Sequence, residues 1–155
     1  MDKVHVIQAV ISQLRGNLSR LKAANAQAKD GATDSESRAE TKWDTSGLEA
    51  SYLARGYAQQ FEQTAKQLEI LTSFKFNENS DGQVGMGSLV LTESGGFRDW
   101  MFVLPCCGGI ELDIDGTEVT IITPESPLAT QLLKKRVGSQ YQAPGGVTGR
   151  ILDIV

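Results

Sequence analysis

The chain has 155 residues, 15 basic against 19 acidic side chains, and a formal net charge of −4. That length suits one domain, or two small ones sharing little core. It holds no apolar run long enough to span a bilayer, which excludes a transmembrane helix.

Other classes fall with it. The chain opens on Met1-Asp2-Lys3 and an amphipathic pattern, so no secretory signal is expected. The only cysteines, Cys106 and Cys107, are adjacent, which excludes a disulfide scaffold and makes the cytoplasm the expected compartment. One histidine, His5, and two neighbouring cysteines lack the spacing of a zinc site. A histidine-dependent nucleophile would have to use His5, on a segment that reads as helix. Gly85-Met86-Gly87 lacks the third glycine of a dinucleotide fingerprint, and no phosphate-loop pattern is present. The expectation is a protein without a complete active site of its own. Residues 1–75 carry 10 basic and 9 acidic side chains, and residues 76–155 carry 5 and 10. No strongly basic nucleic-acid footprint emerges. Arg15, Arg20, Lys22 and Lys29 read as a solvated helix face or as a local RNA contact.

The first segment places apolar residues at Val4, Ile7, Ile11, Leu14, Leu18 and Leu21. Alternating steps of three and four make a heptad seam, with Asp2 as its cap. The seam weakens at Asn25 and Ala28 and stops near Asp30-Gly31. A second seam runs through Ala54, Ala58, Phe61, Ala65, Leu68 and Leu71 and should end near Ser73. Ser46 and Glu49 upstream have the form of a capping box. Two such helices predict an antiparallel helical hairpin over 1–75, about 40 Å long. A monomer is expected, although heptads can also pair between chains.

The tip of that hairpin, about residues 30–46, is polar and acidic. Thr33 and Glu36 could cap a short helix from Asp34. On a helix, Glu36, Glu40 and Asp44 would share one face. They read either as a solvated acidic turn or as carboxylates delivered to a metal ion held by a partner. Trp43, an aromatic at a polar tip, suits docking.

Asn77 to Gly82 reads as a linker. Strand-like runs follow at Val84–Leu91, Asp99–Leu104, Ile110–Ile114 and Glu118–Thr123. Glu93 to Gly96 and Asp115-Gly116 are turn signals, the latter of hairpin type. Ser126-Pro127-Leu128 opens a short helix, because serine caps well and proline suits the first helical position. It runs to Leu133 or Lys134. Strands around Val137–Tyr141 and Val147–Ile154 close the chain, so residues 76–155 predict an antiparallel sheet domain with one short helix. The whole chain is α+β. Cys106 and Cys107 sit in a Gly-rich turn, as ordinary thiols or as a redox pair.

Ile122 to Gly138, with its Ser126-Pro127-Leu128 and Leu132-Leu133-Lys134, followed by Ala143-Pro144-Gly145-Gly146, resembles the C-terminal domain of the Gre transcript-cleavage factors. The resemblance extends over the chain, with a helical coiled coil first and an FKBP-like domain second. It implies a bacterial transcription elongation factor that binds RNA polymerase at its secondary channel. The sheet domain would dock through Ser126, Pro127 and Leu128. The tip would sit beside the polymerase's magnesium and the RNA 3′ end, with Glu40 as a shared metal ligand and Asp44 and Glu36 as further carboxylates. No cofactor of its own and no membrane is implied. Aligning Glu40 with the family's tip glutamate puts Ser37 where the family carries aspartate. Ala129 and Lys134 replace family glycines, and Ser139 replaces an aspartate. The alternatives are a non-cleaving channel regulator, like the Rnk branch or an anti-Gre factor, and a peptidyl-prolyl isomerase built on Phe97, Trp100, Phe102 and Tyr141.

Overall fold

The computed structural model describes residues 1–33, 46–76 and 81–155. Helix α1 spans Lys3–Thr33 and α2 spans Ser46–Ser73. Asp2 starts α1 as expected: its Oδ1 accepts the Val4 N–H at 3.0 Å. Glu49 lies in the first turn of α2, where a carboxylate complements the helix dipole.

The chain falls into two compact units. One is Ile11–Glu69; the other joins Met1–Val10 to Ile70–Val155. The first ten residues and the end of α2 thus belong with the sheet, whereas composition suggests a break near residue 75.

In the first unit the two helices form a hairpin and line a common groove, Asn17 to Ala24 from one side and Tyr57 to Gln67 from the other. The α2 seam is as read. Ala54 and Leu71 are buried, and Ala58, Phe61, Ala65 and Leu68 are half-buried. The α1 seam holds from Ile7 through Leu14, Leu18 and Leu21 to Ala28. Asn25 sits in it with its Oδ1 buried and unpaired. Such a polar seam residue weakens the pairing while favouring one register. Val4 corrects the reading: it is 59% exposed, while Val6 and Val10 are fully buried. The start of α1 belongs to the sheet unit, so the stripe it buries is set there and not by the hairpin.

The second unit holds β1 (Leu89–Ser94), β2 (Phe97–Val103), β3 (Glu111–Ile114), β4 (Thr117–Ile122), α3 (Pro127–Leu132), β5 (Gln140–Gln142) and β6 (Thr148–Ile154). They form one six-stranded sheet in the order β3-β4-β2-β1-β6-β5. The α+β reading stands, with one correction to its antiparallel sheet: β2 and β4 run parallel. After β2 the chain steps past the adjacent place to the sheet edge, where β3 forms. The β3–β4 hairpin then returns β4 into the gap, beside β2 and in the same direction. Asp115 and Gly116 make that hairpin turn with φ of 53° and 79°, and the Asp113 carboxylate accepts the Gly116 N–H at 2.8 Å. Both φ values are those of the turn type that Asp-Gly favours.

Two strands begin several residues later than expected. The run from Val84 becomes strand only at Leu89, because Gly85–Ser88 is a turn in which Ser88 Oγ accepts the Gly85 N–H. The run from Val137 becomes strand only at Gln140, because Gly138 has a φ of 87°.

Alternation along the strands makes two apolar faces. Val90, Met101, Val103, Ile122, Tyr141 and Ile151 cluster with Ala129 and Leu132 of α3. On the opposite face Leu89, Phe102 and Ile121 stand in register across three strands, all fully buried. Phe76, just past α2, lies with its ring centroid 6.2 Å from that of Phe102.

Candidate functional site

Glu36, Glu40, Trp43 and Asp44 lie outside the described residues. Arg15, Arg20, Lys22 and Lys29 are all exposed along α1.

Ser126, Pro127 and Leu128 are consecutive and are within the described residues. They form one wall of a cleft of about 730 Å³. Their local structure follows from the sequence. Ser126 is in extended conformation, its Oγ accepts the Ala129 N–H at 3.1 Å, and Pro127 is the first helical residue. Its missing amide proton is no loss there. Leu128 turns partly into the core cluster, and Pro127 stays exposed. The Leu133 N–H closes the helix on Ala129 O at 2.8 Å, and Lys134 follows with a φ of 65°. A left-handed residue just past a helix is where glycine is preferred. A lysine in that conformation therefore bears a backbone cost of about 1 kcal/mol.

Ser126→Ala should lower the stability of the chain by about 1 kcal/mol, since it removes the cap of α3. A shift of the urea midpoint checks this. An unchanged midpoint would show the cap contributes nothing.

The other walls were not singled out in sequence as parts of a site. Gly108 and Gly109 come from the β2–β3 connection, Thr120–Thr123 from β4 and its end, and Gln142–Pro144 from the end of β5. Each carries a turn or strand signal, but nothing local says that they converge.

The chemistry of this lining is simple. Among the described residues no charged side chain, histidine, cysteine or aromatic ring lines the cleft. Its one serine hydroxyl is engaged in capping. Such a surface can bind an apolar segment and offer backbone groups to it. The aromatic residues of the isomerase reading do not converge here either. Phe97 is 75% exposed at a hairpin turn, while Phe102 and Tyr141 are core residues. Among the described residues no group of three or more His, Cys, Asp or Glu could hold a metal ion. None of the described helices is long and apolar enough to cross a membrane.

No family model and no curated protein matches this sequence. Solved structures of Gre-type factors do align with it. The GreA factor homolog 1 (Gfh1) of Thermus thermophilus is 21% identical, covering 94% of each chain, with a TM-score of 0.36. Gfh1 of Thermus aquaticus is 22% identical over 95% of this chain and 92% of that one, with a TM-score of 0.35. The transcription elongation factor GreA/GreB of Nitrosomonas europaea is 18% identical over 70% of this chain and 92% of its own, also with a TM-score of 0.35. At these values the likenesses carry no residue role and no function.

The β2–β3 connection beside the cleft also carries both cysteines. Cys107 Sγ lies 3.5 Å from Cys106 Sγ. Burial pushes both thiols up, Cys107 to about 12, with the neighbouring thiol adding to the rise at Cys107. Both are therefore protonated at neutral pH.

Proposed function

We propose that this chain is a Gre-like accessory factor of bacterial RNA polymerase. Its helical hairpin would enter the secondary channel, and its sheet domain would dock through Ser126, Pro127 and Leu128. One observation carries this reading: the motif that resembles the Gre factors builds a capped helix at the wall of an apolar cleft, on a chain whose other half is a helical hairpin. The connection of that hairpin holds Asp34, Glu36, Glu40 and Asp44. In this reading Glu40 lends a carboxylate oxygen to the magnesium that the polymerase holds, where it helps position water for hydrolysis of backtracked RNA. Asp44 and Glu36 supply further negative charge, and Trp43 docks the tip. In this reading the polymerase owns the active site, and the apolar cleft serves as a docking surface.

Ser37 favours a second reading. It stands where the family carries its tip aspartate, and a hydroxyl is a far poorer magnesium ligand than a carboxylate. A non-cleaving regulator would occupy the channel and hinder nucleotide entry.

Stalled, backtracked elongation complexes with labelled RNA 3′ ends separate the two. Cleavage stimulation predicts release of short 3′ fragments by the protein and at least a ~10-fold slower release with Glu40→Ala. Asp44→Ala and Glu36→Ala should cost less. Slowed nucleotide addition without release would establish the second reading. No binding to polymerase would remove both.

A further inference from the structure

We infer that Cys106 and Cys107 form a two-thiol site for a soft trivalent metalloid, a trivalent arsenical being the ligand class that fits. The two sulfurs stand 3.5 Å apart. Two bonds of the usual thiolate length, about 2.3 Å, meeting at a pyramidal centre near 100° span about 3.5 Å. The pair therefore already holds the bite of such a ligand. A disulfide would need the sulfurs closer by about 1.5 Å. Tetrahedral zinc wants two more protein ligands, and the described residues offer no group of three. A trivalent arsenical asks for only two, because its third bond is to its own substituent and its fourth position is a lone pair.

The loop holds the pair in place. Leu104 N–H donates to Ile122 O at 2.9 Å, and Gly109 N–H donates to Ile121 O at 2.8 Å. Both ends are thus fastened to β4, and Cys107 between them has a φ of 68°. A site ordered before binding loses less entropy on binding. Cys106 is half-buried beside the exposed Gly108 and Gly109, so a ligand meets its sulfur first from solvent; Cys107 is buried, and its bond closes inward from there.

The overall step balances from the protonated pair. With phenylarsine oxide, two S–H groups react with the arsenic–oxygen unit. Two As–S bonds form, and the oxygen leaves as water with both thiol protons. Arsenic stays trivalent and no electron moves. Oxidation and attack on arsenic both run faster through thiolate, which burial suppresses here, so retention at equilibrium and not rate reports the site. Gly108 and Gly109 line the cleft, so an occupied pair would sit at its edge.

The test is intact-mass measurement of the full chain with phenylarsine oxide in excess glutathione. One phenylarsenic group per chain is expected, stable to the monothiol and removed by 2,3-dimercaptopropanol. Cys106→Ser and Cys107→Ser should each weaken retention at least ~100-fold, since each loses the second, intramolecular bond. The urea-unfolded chain should also bind more weakly than the folded one, a comparison that needs no variant. Three results would overturn the inference: no adduct, equal retention by either single-cysteine variant, or equal affinity folded and unfolded. A chain that loses two protons to a disulfide under glutathione disulfide, in place of taking the arsenical, would overturn it as well.

Discussion

Phe102→Ala should destabilise the sheet unit by about 3–5 kcal/mol, the largest loss expected from any single truncation here. Phe102 is fully buried in β2, with Leu89 and Ile121 beside it in register and both also fully buried. Removing the ring takes away its transfer free energy and leaves a cavity that strands hydrogen-bonded on both sides cannot close. Domains of this kind are stable by about 5–15 kcal/mol, so the loss takes between about a fifth and all of that margin. Urea unfolding should show a lower midpoint with an unchanged slope. Phe102→Leu fills most of the space and should cost much less. A loss below about 1 kcal/mol for the alanine variant would mean the ring is not packed as described.

Gly149→Ala should cost about 2–3 kcal/mol for the opposite reason, too little room. Gly149 pairs with Tyr141 across β5 and β6, and the tyrosine ring lies over it. A methyl group there would stand 2.5 Å from Cε1 and Cζ and 2.8 Å from the hydroxyl. The ring has little freedom to retreat, because Tyr141 is 2% exposed within the α3 core cluster. The strand cannot retreat either, since β6 is bonded to β1 on its other side. The φ of Gly149 is not in the left-handed region, so space alone sets the penalty. A double-mutant cycle isolates it. In a Tyr141→Val background the glycine substitution should cost less than about 1 kcal/mol, leaving a coupling of at least ~1 kcal/mol. Additive losses would show that the ring does not oppose the methyl group.

One wall of the candidate site, the start of α3, was legible before folding. Ser126 and Pro127 declare a helix start because capping depends on a few neighbouring residues. Ser126, Pro127 and Leu128 line one cleft. The remaining walls were not legible. Gly108, Thr120 and Ala143 lie far apart in sequence, and only sheet order brings them to one place. The thiol pair is intermediate. Its adjacency is written in the chain, but the 3.5 Å between sulfurs depends on a loop fastened at both ends to β4.

By itself the sequence determined what depends on near neighbours. The heptad seams of α1 and α2, the Asp115-Gly116 turn and the capped start of α3 follow from helical periodicity, turn dihedrals and hydrogen bonds within a few residues. Tertiary structure alone decided which strands meet and which face a helix end buries. The parallel pairing of β2 with β4 comes from a chain that steps past one sheet position and returns. Val6 and Val10 are buried in place of Val4 because the start of α1 joins the sheet unit. Tyr141 covers Gly149 only once β5 and β6 are paired. Each is a contact between segments far apart along the chain, so no local pattern can encode it.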